Sequence, residues 1–116
     1  MDELTVLPKI VTQLATETLE GSAETTPELR RAVADRAASI TGEQRDAGSI
    51  PPPLLSLVDK VARCAYKITD EDFERLREAG YGEDQLFELV VAAALGASLG
   101  RFERGLQVMR AARAGR

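Results

Sequence analysis

Between Leu86 and Leu99 the chain reads LFELVVAAALGASL, a stretch apolar on almost every side when wound into a helix. Such a helix has to be covered by the rest of the fold, since water would otherwise meet apolar atoms in every direction. Its longest apolar run, Leu89 to Ala97, is far short of the roughly 20 residues that span a bilayer. The stretch therefore calls for a helical protein wrapped around a buried helix. Only 4% of the 116 residues are aromatic and none is Trp, so Leu, Val, Ile and Ala must fill that core. Small aliphatic side chains suit closely packed helices.

The helices that do the covering have legible starts and stops. Leu7, Ile10, Val11, Leu14 and Ala15 fall at helical spacing, with Pro8 in the first turn and Gly21 at the stop. Thr26 reads as an N-cap before Pro27, and Leu29, Val33, Ala37 and Ile40 make the inward stripe, ended by Thr41-Gly42. Residues 42–53, GEQRDAGSIPPP, read as a connection, because prolines do not extend a helix interior. A third helix is predicted from Leu54 to Tyr66, with Leu54, Leu57, Val58, Val61 and Ala65 facing inward.

The next segment, ITDEDFERLREAGYGEDQLFELV, writes the grammar of a helix start twice. Thr69 caps a helix whose third position is Asp72, a carboxylate variant of the capping box, and Ile68 can staple to Phe73. That helix stops at Ala79-Gly80. Gly82 then caps the next one, with Gln85 at the third position and Tyr81 placed to staple to Leu86. Ala92, Gly96 and Gly100 recur every four residues and offer a flat seam to another backbone. Two glycines inside a helix, each costing about 1 kcal/mol, point to a packing role or a break near Gly100. A final helix over Arg101–Ala114 would turn Phe102, Leu106 and Met109 inward. No strand pattern appears, so the expected fold is all-α with about six helices in one domain. Residues 1–41 form its N-terminal helices, 42–53 a connection, and 54–116 its helical core.

Charge is distributed unevenly within a net of −4. Residues 68–90 carry eight acids against Arg75 and Arg77, whereas 101–116 carry Arg101, Arg104, Arg110, Arg113 and Arg116 against Glu103. A basic tail can touch nucleic acid or lipid. Here no aromatics interleave with the arginines, which instead complement the carboxyl end of a helix, so neither nucleic acid nor membrane is expected as a partner. The N-terminus MDELTVLPK is acidic where a secretory leader is basic, and one cysteine cannot form an internal disulfide. Both features predict a cytoplasmic protein.

Residues 54–106 resemble the carboxymuconolactone decarboxylase and alkylhydroperoxidase D-like family, chiefly through ITDEDFERLREAGY, EDQLFELVVAAALGA and LGRFERGL. The resemblance implies the helical fold of that family and assembly into trimers or hexamers. The peroxidase branch of the family works through a Cys-x-x-Cys pair followed by His. TPELRRAVADRAASITG resembles the segment leading into that pair, yet Gly42 is followed by Glu43, Gln44, Arg45 and Asp46. The alternative placement near Ala65 to Ile68 also lacks the pair, so peroxidase activity is not implied.

The chain has no histidine at all, which removes Ser-His-Asp, Cys-His and His-metal chemistry together. Cys64 is the only thiol and a candidate catalytic residue. Lys60, Arg63 and Lys67 near it in sequence would lower its pKa, but a helix carboxyl end favours the protonated thiol, and a small buried hydrophobe is the simpler role. Asp70, Glu71, Asp72, Glu83 and Asp84 could bind a cation, but they occupy first turns where capping accounts for them. Gly80-x-Gly82 lacks the preceding strand of a phosphate loop. Tyr66 and Tyr81 either line a pocket or pack with a wet hydroxyl. No cofactor or metal is expected.

The expectation is thus a homo-oligomer whose interface includes Leu89, Ala92, Ala93, Gly96, Leu99 and Gly100. It would act as an accessory or as a binder of a partner chain or small ligand. The alternative is a lyase- or isomerase-like enzyme using carboxylate, Arg or Tyr groups at a subunit interface.

Overall fold

The computed structural model describes residues 9–21 and 23–115, with the side chains of Lys9–Thr12 and Leu14 left out. Leu7, Pro8, Arg116 and the inward side chains expected at Ile10, Val11 and Leu14 therefore lie outside the described residues. Among the described residues there are five α-helices: α1 (Lys9–Glu20), α2 (Pro27–Thr41), α3 (Pro52–Cys64), α4 (Asp70–Glu78) and α5 (Glu83–Ala114). A 3-10 turn, Ala65–Lys67, joins α3 to α4. Among the described residues there is no strand.

The helix count differs from the expected six because the chain does not break at Gly100. Helix α5 runs unbroken for 32 residues through Gly96, Gly100 and Gly105, about 48 Å at 1.5 Å per residue. A compact domain of this size has a radius of gyration of about 13 Å, and the observed 15.5 Å with a long axis of 55 Å reflects the reach of this helix. It is also long and apolar enough, by length and composition, to cross a membrane, although 39% of its apolar window is buried inside the fold.

Helix α3 starts at Pro52, two residues before the expected Leu54, which shortens the connection. Pro51 is the N-cap and Pro52 and Pro53 occupy the first turn, where a missing N–H leaves no bond unmade. The helix ends at Cys64, so Ala65 and Tyr66 belong to the 3-10 turn and are exposed rather than inward. Tyr66 is 84% exposed; Lys67 Nζ lies 5.9 Å from its ring centroid.

Helix α4 begins and ends on local chemistry. Thr69 N–H donates to Asp72 Oδ2 at 3.0 Å, and Asp72 N–H donates to Thr69 Oγ1 at 3.3 Å, closing the capping box. At the other end Tyr81 N–H reaches Leu76 O at 3.1 Å and Gly80 N–H reaches Arg77 O at 3.0 Å, a Schellman motif. Its geometry needs a left-handed residue, and Gly80 supplies φ of 103°. Gln85 Oε1 then accepts from Gly82 N–H at 2.8 Å to open α5.

The core is built from α2, α3 and α5, with Val33, Ala37, Leu54, Val58, Leu89 and Ala92 almost wholly buried. Helices α2 and α5 form its main contact. The expected inward stripe of the last helix is corrected: Phe102 and Met109 are 43% and 48% exposed and Leu106 is half-buried, because α5 has by then run past the helices that cover it.

Candidate functional site

The small-residue seam is real, and its partner is α2 of the same chain. A Cβ built on Gly96 would stand 2.1 Å from Ala34 O, and one on Gly100 would stand 2.6 Å from Ala38 O. Gly42, capping α2, approaches Gly100 equally closely. Thr41 Oγ1 donates to Ala97 O at 2.8 Å across the same crossing. Leu89, Ala92, Ala93, Gly96 and Gly100 are all buried within the chain and Leu99 half-buried, so the seam offers a second chain almost no surface. The matching signal on α2 is Ala34, Ala38 and Gly42, again every fourth residue. Two such rows let two helix backbones come close without side chains between them.

The charged groups converge on three places, and each ties helices together. Asp72, 7% exposed, accepts from Lys60 Nζ at 2.8 Å and from the Arg75 guanidinium while completing its capping box. The Lys60 hydrogen bond, the Thr69 amide and the nearby cations hold its pKa at about 2, below the ordinary 3.8, against the opposing effect of burial. The bridge joins α3 to α4.

Glu88 links α5 to the turn between α1 and α2. Its carboxylate accepts from the Glu24 and Thr25 amides at 2.9 and 2.8 Å and from the Thr25 hydroxyl at 2.6 Å. Burial pushes its pKa up, but these donors and the charge of Arg30 outweigh it, leaving a net lowering. Arg30, 4% exposed, donates to Thr18 O at 3.0 Å and to Gly21 O. A guanidinium at the last carbonyls of α1 also meets the negative end of that helix. Neither residue stood out in the sequence, since the partners of Glu88 lie more than 60 residues away.

The third place is an open polar cleft of about 470 Å³ lined by Arg36, Ser39, Gln44, Arg45, Asp46 and Arg63. Two of its arginines are already engaged. Arg36 makes a two-pronged contact with Asp59 at 2.7 and 2.9 Å, which raises its pKa. Arg45 pairs with Glu103 and so fastens the 42–51 connection to α5.

Cys64 ends α3, half-buried and unpaired. Among the described residues no three His, Cys, Asp or Glu side chains are grouped to hold a metal ion. Thr26 caps α2 as expected, its hydroxyl accepting from Leu29 N–H at 3.2 Å. Comparison with protein-family models, curated proteins and solved structures returns no match to this chain.

Proposed function

We propose that the chain is a non-peroxidatic helical protein of the carboxymuconolactone decarboxylase-like type, cytoplasmic, which assembles with itself and serves as an accessory or binding protein. The observation that carries this reading is the isolation of Cys64. It is the only thiol of a chain without histidine, so no second sulfur can resolve a sulfenic acid and no imidazole can move the proton. The strongly held carboxylates, Asp72 and Glu88, are occupied as structural bridges. Large apolar side chains in water, by contrast, gather on α5 at Phe87, Phe102, Val108 and Met109, and such gathering marks an interaction surface.

The enzyme alternative has one observation in its favour, the arginines converging on the polar cleft. Their charge is largely neutralised by Asp59 and Glu103, which leaves that reading second.

Incubation with cumene hydroperoxide and a dithiol reductant tests the proposal. The expected outcome is no turnover above the protein-free rate. Turnover that disappears in Cys64→Ser would overturn it.

A further inference from the structure

Helix α5 has a second apolar face, pointing away from the core. At 100° per residue, Phe87, Val91, Ala94, Ser98, Phe102, Gly105, Met109 and Ala112 fall on one line. The buried residues Leu89, Ala92, Gly96 and Gly100 occupy the opposite side. Of the eight, only Val91 is half-buried; the others are exposed, Phe87 at 70%. None is charged. Their spacing of 4-3-4-4-3-4-3 keeps them in register over about 37 Å, the pattern by which one helix seats another. Core packing explains the inner face of α5 and leaves this outer one unexplained.

We infer that the outer face of α5 is the contact between two copies of this chain, packed antiparallel about a two-fold axis at Ser98. This deepens the proposed self-assembly by naming its surface. Two arguments select the occupant and its direction. The first is charge: α5 starts with Glu83 and Asp84 and carries Arg113 near its end, each flanking the outer face. Antiparallel pairing sets the acids of one copy against Arg113 of the other, and parallel pairing would set like against like. The second is shape. With Ser98 on the axis, Phe87 faces Met109, Val91 faces Gly105, and Ala94 faces Phe102. Two of these three pairs set a large residue against a small one, and the axis itself is crossed by a serine small enough for close approach. A face that matches its own reverse is what a two-fold contact requires. A simple trimer has no two-fold axis, so this contact belongs to a dimer or to an assembly built from dimers, such as a tetramer or hexamer.

Cysteine cross-linking of the full chain in a Cys64→Ser background tests this directly. Ser98→Cys alone should give a disulfide-linked dimer under mild oxidation, since both thiols lie at the axis. Val91→Cys mixed with Gly105→Cys should cross-link, whereas either alone should not. On an otherwise unaltered chain, Ser98→Arg should abolish the dimer mass in sedimentation while leaving the far-ultraviolet circular dichroism unchanged. A chain that sediments as a monomer at 50 μM (on the order of typical weak-dimer conditions) overturns the proposal. So does self-linking of Val91→Cys, which would mean a parallel pair. A monomer that instead co-sediments with vesicles of phosphatidylcholine and phosphatidylglycerol would assign the face to lipid and equally overturn it. A monomer would also remove the self-assembly proposed above, self-linking of Val91→Cys would overturn the antiparallel face alone, and none of these outcomes bears on hydroperoxide turnover.

Discussion

Replacing Gly96 with Ala adds one methyl group where α2 and α5 touch. That carbon would lie 2.1 Å from Ala34 O and 2.7 Å from Ala34 C and Cα, against about 3.5 Å for ordinary contact. All three obstacles are backbone or Cα, so no side chain can swing aside. The helices have to part by more than an ångström. They are pinned at the next turn by the Thr41–Ala97 bond and by the approach of Gly42 to Gly100. Overpacking of this kind costs about 1–3 kcal/mol, and a clash with backbone belongs at the upper end. Alanine returns about 1 kcal/mol in helix propensity. The net expectation is a loss of about 2 kcal/mol. With a urea slope of about 1.5 kcal/mol per molar, the unfolding midpoint falls by about 1.3 M. Gly105→Ala is the control within the same helix, because nothing lies within 4 Å of its Cβ. Within the chain only the propensity gain applies there, so the midpoint rises by about 0.7 M at a concentration dilute enough to keep the outer face of α5 unpaired. Both proteins are compared at one concentration, with the same sedimentation mass. If Gly96→Ala raised the midpoint as Gly105→Ala does, α2 could not be seated on Gly96 as described.

Thr69→Ala removes the side-chain half of the capping box and should destabilise the fold by about 1 kcal/mol, read as a lower urea midpoint; an unchanged midpoint would place the start of α4 elsewhere. Asp72 has a folded pKa of about 2 against an ordinary 3.8. Its contribution is therefore complete above the ordinary value and is lost as pH falls towards the folded one. Wild-type stability should decline through that window, and Asp72→Asn should be less stable at neutral pH and show a shallower acid decline. Equal slopes in both proteins would show that Asp72 is not held by Lys60 and Thr69.

What was legible in the sequence was what sits within a few residues. Thr69 with Asp72, Thr26 before Pro27, and Gly80 after Ala79 are all local arrangements, and each appears in the structure. The seam on α5 could be read as a seam, but its partner could not. Ala34 and Ala38 lie within an ordinary helical pattern, and only the folded chain shows that they complete a row with Gly42. In sequence Pro52 and Pro53 read as breakers, whereas their place in a first turn makes them starters. Phe102 and Met109 continue the helical period correctly. Period alone cannot say where the covering helices end. Glu88 gives no local signal, because its contacts with Glu24 and Thr25 close loops of more than 60 residues, and Arg30 gives none because its partners Thr18 and Gly21 offer backbone carbonyls, which no side-chain pattern marks.

The distribution of charge bears on what kind of function the fold can hold. A general base works best with a pKa near the working pH, and enzymes reach it by raising carboxylates through burial or like charge. Asp72 and Glu88 move the other way, because each is surrounded by donors that favour the anion. At neutral pH they are fixed negative charges, suited to holding Lys60, Arg75 and the Thr25 turn and poorly suited to taking up a proton. Raising either pKa would mean withdrawing the very donors that join α3 to α4, or α5 to the turn before α2. Catalysis and architecture would compete for the same carboxylates. On the outer face of α5 there is little such competition, since Ser98 donates within its own helix, to Ala94 O at 2.9 Å, and all of the eight residues but Val91 are exposed. Function on this scaffold is therefore freest to reside on that surface.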